Sequence, residues 1–133
     1  MIYLSLTFIV LAAICNAVMD TSVHHYSTSI FKKLNPYFWD GEISWRNKYI
    51  NGDPSQGRVK WFFGLVKPVQ ITDAFHFFKM LMIIFICLSI ITFNKCAVLA
   101  GCEYQWYSFL TLLGIYGVLW NTTFSLFYNK ILR

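Results

Sequence analysis

The stretch MIYLSLTFIVLAAICNAVMD (residues 1–20) decides the fold, because no charge interrupts it before Asp20. A helix needs roughly 20 apolar residues to cross a hydrocarbon core about 30 Å thick. Two further runs, Phe75–Phe93 and Tyr104–Tyr128, are of comparable length. The first of these carries only Lys79 beyond its opening His76, and the second carries no charged residue. Composition agrees: 57% of residues are hydrophobic and 13% charged, against about 25% charged in an ordinary soluble domain, and the mean hydropathy is +0.52. Trp39, Trp45, Trp61, Trp106 and Trp120 fall mostly near span ends, as interfacial anchors do. These features predict an all-α membrane protein forming one membrane domain over residues 1–133. Its three transmembrane helices are expected at about 2–19, 75–93 and 106–128, with an aromatic-rich interfacial cap over residues 20–72 between the first and second.

The net charge of +5 reports orientation rather than nucleic-acid binding. Lys32, Lys33, Arg46, Lys48, Arg58, Lys60 and Lys67 crowd the long loop, whereas the short loop carries Lys95 alone and the tail Lys130 and Arg133. Basic residues stay on the cytoplasmic side. The expected topology in an inner (plasma) membrane is N-terminus out, cap cytoplasmic and C-terminus cytoplasmic. The first run lacks the positive n-region of a signal peptide, so it reads as a retained helix. Cys15 and Cys87 lie within spans as small packing residues. Cys96 and Cys102 share the short outer loop, where either a disulfide or two free thiols fit.

No Pro or Gly occurs from Asn16 to Leu34, and Asn35-Pro36 then supplies a stop. The first helix either continues to Leu34 or breaks among Ser27, Thr28 and Ser29. Asn51-Gly52-Asp53-Pro54 is a turn signal, and its flanks Ile43–Ile50 and Arg58–Phe63 alternate as a hairpin would. Trp61-Phe62-Phe63-Gly64-Leu65-Val66 is too short to span; between Lys60 and Lys67, it belongs in the headgroup layer. So many aromatics exclude a disordered linker. Thr72 is the expected N-cap of the second span, with Asp73 in its first turn. Gly114 and Gly117 form a small-residue face suited to close packing, and to a homo-oligomer.

Candidate chemistry gathers at the helix mouths. Asn16, Asp20 and His24 recur every four residues along one face, while His25 points about 100° away from His24. Asp73, His76 and Lys79 recur every three. Both sets lie at one membrane level, with Asn121, Thr122 and Thr123 at similar depth. Two carboxylates with imidazoles suit zinc or another divalent ion, and a metal-bound water is a ready nucleophile. The candidate catalytic and metal-ligating residues are therefore Asp20, His24, His25, Asp73 and His76, supported by Asn16 and Lys79. Each residue also has a structural explanation: Asp73 complements a helix N-terminus, Asp20 pairs with Lys79 or a histidine, and Lys79 snorkels. No G-x-S-x-G elbow, P-loop or H-E-x-x-H is present.

Asn16-Ala17-Val18-Met19-Asp20, His25-Tyr26, Ser29-Ile30-Phe31, Leu34-Asn35-Pro36, Phe38-Trp39, Ser44-Trp45, Asn47-Lys48-Tyr49, Gly52-Asp53 and Thr72-Asp73-Ala74-Phe75-His76 form a further pattern. It resembles a group of small uncharacterised membrane proteins of bacteria and their phages. The likeness covers roughly residues 16–79, leaves the third span unmatched and carries no activity. It implies a bacterial or phage inner membrane as the setting.

Two classes of function follow. One is metal-dependent hydrolysis of an ester or phosphoester at the lipid headgroup level. The other is a non-enzymatic membrane component: an accessory subunit, a holin-like pore former, or a module whose basic, Trp-rich cap holds anionic membrane lipids. The long aromatic loop and the lack of a charged C-terminal tail weaken the holin match.

Overall fold

Residues Ile2–His24 form one continuous helix, α1. The computed structural model describes residues 2–99 and 106–133, with backbone alone for 96–99 and 106–109. The Cys96–Cys102 question lies outside the described residues. Beyond His24 the chain breaks into 3-10 turns at Tyr26–Thr28 and Ile30–Lys33. The break needs neither Pro nor Gly. Ser29 is extended, and its hydroxyl accepts from the Phe31 amide at 3.1 Å, giving the backbone an alternative to the helix ladder. The long helix to Leu34 is not found; the helix does break, but at His25 (φ −139°, ψ 19°), ahead of the Ser27, Thr28 and Ser29 stretch where the break was expected.

The cap continues as short helical pieces, three of them opened by a local side-chain acceptor. Asn35 receives the Tyr37 amide at 3.0 Å and opens α2 (Pro36–Trp39), with Pro36 at the first helical position. Asp40 receives the Glu42 amide at 3.0 Å and opens α3 (Gly41–Ser44). Asp53 does the same for Ser55 at 2.9 Å. These caps decide against the expected hairpin. Residues 43–52 are taken up by α3 and by 3-10 turns at Trp45–Lys48 and Ile50–Gly52. Only isolated antiparallel bridges, Tyr49 with Arg58 and Lys60 with Val66, remain among the described residues. A turn every three or four residues destroys the two-residue alternation a strand requires.

The second span is α4 (Ala74–Leu99). The third is α5 (Trp106–Leu126), which ends in a π turn at Phe127–Ile131. Three described helices are long and apolar enough to cross a membrane. They are not equally enclosed: 44% of the apolar window of α1 is buried, against 11% for the second span and 6% for the third. The reason lies in side-chain size. Ser5, Ala13, Ala17 and Thr21 share one four-residue register along α1, interrupted by Ile9, and are buried with Ala12. Small side chains let neighbouring backbones approach, which drives helix packing in lipid.

Both ends of the bundle are fastened. At the end away from the cap, Ser5 Oγ lies 2.8 Å from the Ser89 carbonyl and 3.0 Å from Ser89 Oγ. Ser89 Oγ in turn donates to the Ser5 carbonyl at 2.9 Å. The Tyr116 hydroxyl of α5 joins this pair. At the cap end, Phe31 and Leu132 pack on Ala17 and Val18, ringed by Trp39, Phe78, Phe124, Phe127 and Tyr128. Phe31 stacks on Trp39 with centroids 4.5 Å apart, and Trp39 meets Phe78 at 5.8 Å. Gly41 presses on the end of α1 so closely that an added Cβ would lie 2.8 Å from Val23 Cα.

Candidate functional site

At the mouth of α4 the sequence dictates a carboxylate. The first amides of a helix have no partner within it, and Asp73 supplies one: Oδ1 accepts from the His76 amide at 2.9 Å. Asp73, rather than Thr72, is therefore the N-cap. Thr72 instead places its hydroxyl 2.9 Å from Asp73 Oδ2 and 2.7 Å from the Val69 carbonyl. Asn47 donates to the Thr72 and Tyr37 carbonyls, tying the cap to this corner. The Asp73 side chain is 2% exposed, and such burial is tolerated only when the oxygens are satisfied.

His76 completes that satisfaction. Its Nδ1 lies 2.8 Å from each Asp73 oxygen. With Nδ1–H given to the carboxylate, Nε2 is the nitrogen left for other partners. The side chain is 32% exposed. It borders a groove of about 340 Å³ lined by Gln70, His76, Lys79, Met80, Ile83 and Ile84. Lys79 Nζ sits 5.8 Å from the Phe75 ring centroid.

The mouth of α1 is arranged differently. Asn16 and Asp20 are half-buried, and their side chains make no hydrogen bond or ion pair among the described residues. The expected Asp20–Lys79 pair is not formed; the one ion pair among the described residues joins His76 to Asp73. His24 is exposed and borders a small polar pocket of about 100 Å³ with Tyr26, Ser27, Asp40 and Glu42. His25 turns to the chain end, where Nε2 meets the Arg133 guanidinium and the ring lies edge-on to Tyr128 at 5.4 Å. Partial burial, Arg133 and His24 hold its imidazole below the usual range.

The expected constellation of Asp20, His24, His25, Asp73 and His76 is thus divided: Asp73 holds His76, Asp20 stands apart, and His24 and His25, with ring centroids 6.5 Å from each other, face the polar pocket and the tail. Among the described residues, no group of three or more His, Cys, Asp or Glu side chains is placed to hold a metal ion. Asn121 and Thr122 stay apart as well, bonding back to the Gly117 and Val118 carbonyls of their own helix at 2.9 and 2.8 Å. Sequence reasoning missed the tail. Leu132 is buried, and its carbonyl accepts the Ile30 amide at 3.0 Å. The only signal was a leucine and an arginine ending the chain.

A second feature stands out in the cap. The Trp61 amide donates to the Leu65 carbonyl at 2.6 Å and the Lys67 amide to the Val59 carbonyl at 2.8 Å, so Lys60–Lys67 forms a short finger. Its tip turns through Phe63 (φ 56°) and Gly64 (φ 77°). Phe62 is 65% exposed, Phe63 101% and Leu65 69%.

Three apolar helices and an aromatic cap define a multi-pass membrane protein. Comparison with protein-family models, curated proteins and solved structures found no match to this chain.

Proposed function

We propose that this protein is a non-enzymatic membrane component whose cap engages the anionic lipid headgroups of its own membrane, on the cytoplasmic side. The observation that carries the reading is the finger, with its fully exposed Phe63 at the tip. Burying a Phe or Leu side chain is worth about 1.5–3 kcal/mol. A non-glycine residue held at positive φ costs on the order of 1–3 kcal/mol. Strained backbone that presents three large apolar side chains to water has no evident gain, whereas the same tip in a headgroup layer recovers their burial. Arg58, Lys60 and Lys67 flank it, each worth about 1 kcal/mol near an anionic surface.

The test is the lipid that accompanies the purified protein. Protein extracted in mild detergent is expected to carry acidic phospholipid in excess of its share of the membrane. A Lys60→Gln/Lys67→Gln variant should lose a measurable part of that excess. Equal lipid profiles for the two proteins would remove the reading.

A second reading has its own support. An added Cβ at Gly114 or Gly117 would meet nothing within 4 Å among the described residues, so this face of α5 is open to a second copy. Gly117→Leu should weaken cross-linked dimers if α5 pairs with itself. An unchanged cross-linking yield would rule that out.

A further inference from the structure

We infer that the groove at the mouth of α4 holds one phospholipid molecule, its phosphate at His76 and Lys79 and one acyl chain along Met80, Ile83 and Ile84. The inference rests on the lipid-engaging reading above and gives it a site separate from the finger.

The first argument is the order of side chains. Gln70, His76 and Lys79 line the groove at the start of the helix, and Met80, Ile83 and Ile84 line it further into the span. From His76 to Ile84 the helix rises about 12 Å at 1.5 Å per residue. A phospholipid lying against a span has the same sequence of chemistry, with polar atoms at the mouth and hydrocarbon below, and about 12 Å takes in its phosphate and the upper part of a chain. The second argument is charge. Lys79 makes no ion pair among the described residues, and the nearby carboxylate of Asp73 is buried and taken up by His76 and Thr72. A cation at headgroup depth attracts phosphate. The third argument is the pinned imidazole. Asp73 fixes the ring through Nδ1, so the imidazole lining the groove has less orientational freedom to lose at binding. Nε2 takes a hydrogen bond from a headgroup hydroxyl or, in the imidazolium form, gives one to a phosphate oxygen. Asp73 is accordingly a positioning residue, and His76 and Lys79 are the contacts.

Native mass spectrometry of the full chain, stripped of lipid in detergent and titrated with dioleoylphosphatidylglycerol, tests this. One lipid per protein is expected to bind first, at the lowest concentrations. His76→Gln/Lys79→Gln should weaken that first adduct at least tenfold. Ile83→Trp, which fills the groove and leaves the polar residues intact, should do the same. Lys60→Gln/Lys67→Gln should leave it within twofold, so failure of the finger reading and failure of this one are distinguishable. Dioleoylglycerol, lacking the phosphate, and millimolar inorganic phosphate, lacking the chains, should neither form nor displace it. Circular dichroism confirms that each variant is folded. The inference is overturned if both groove variants bind like the parent protein, if the first adduct depends on Lys60 and Lys67, or if inorganic phosphate displaces the lipid.

Discussion

The mouth of α1 and the mouth of α4 look alike in sequence, each an acid followed by histidine at the edge of an apolar run, yet they are built on opposite principles. Asp73 precedes a helix, where free amides need an acceptor, so its carboxylate is drawn inward, capped onto the His76 amide and closed by the His76 ring. Asp20 sits near the end of a helix, where the backbone offers carbonyls rather than donors. It finds no partner among the described residues. What holds the mouth of α1 is packing: Gly41 against Val23, and Phe31 and Leu132 against Ala17 and Val18. Helix polarity sorts one residue pattern into a bonded site at α4 and a packed joint at α1.

That contrast is broken most forcefully at Gly41. Its missing Cβ would fall 2.8 Å from Val23 Cα and 3.2 Å from the Ser22 carbonyl, so Gly41→Ala should cost about 2–3 kcal/mol by overpacking. Thermal unfolding in detergent reads this as an early loss of helix signal. A variant as stable as its parent would mean that the cap does not seat on α1. Next comes Asp73→Ala, expected to cost about 1–2 kcal/mol through the lost N-cap, with the imidazole resonances of His76 in nuclear magnetic resonance moving to a mobile environment. If Asp73→Ala leaves those resonances in place, the carboxylate does not hold the ring.

A smaller effect concerns the tail. His25 is held below its ordinary value near 6.5 by partial burial, Arg133 and His24. The unfolded or undocked chain therefore binds the proton more readily, and docking is favoured less as pH falls below about 6.5. It is fully present above that value. Hydrogen exchange of the Ile30 amide, which donates to Leu132, should quicken at pH 5 relative to pH 8 once intrinsic rates are corrected. A pH-independent protection factor would dissociate His25 from the tail. Smallest of all is Asp20→Asn, for which the unfolding midpoint should not move; a clear shift would reveal a partner at the mouth of α1.

The three spans were legible because uncharged runs of membrane length leave few alternatives, and the aromatic cap because Trp and Phe do not populate disordered linkers. The caps at Asn35, Asp40 and Asp53 were legible as turn chemistry, but their consequence was not: a string of short helical turns in place of the hairpin at 43–63. The end of α1 at His24 was left open because no Pro or Gly marks it; His25 leaves the helical region there, and the Ser29 hydroxyl then opens the next turn. Convergence of the helix mouths was misjudged for a geometric reason. Spacing by three or four places residues on one face of a helix, but says nothing of how far that helix is rotated toward its neighbours. Docking of Leu132 and Arg133 depends on contacts with residues a hundred positions away, and no local pattern announces it.

Depth measured at the finger tests the account most directly. A nitroxide placed by Phe63→Cys, in protein whose native cysteines are replaced by serine, reports its surroundings in lipid nanodiscs through relaxation by oxygen and by a water-soluble nickel complex. The account predicts a label below the phosphates, favouring oxygen, and deeper when phosphatidylglycerol is added to phosphatidylcholine. A label as open to the nickel complex as one in free solution, with either lipid, would contradict it.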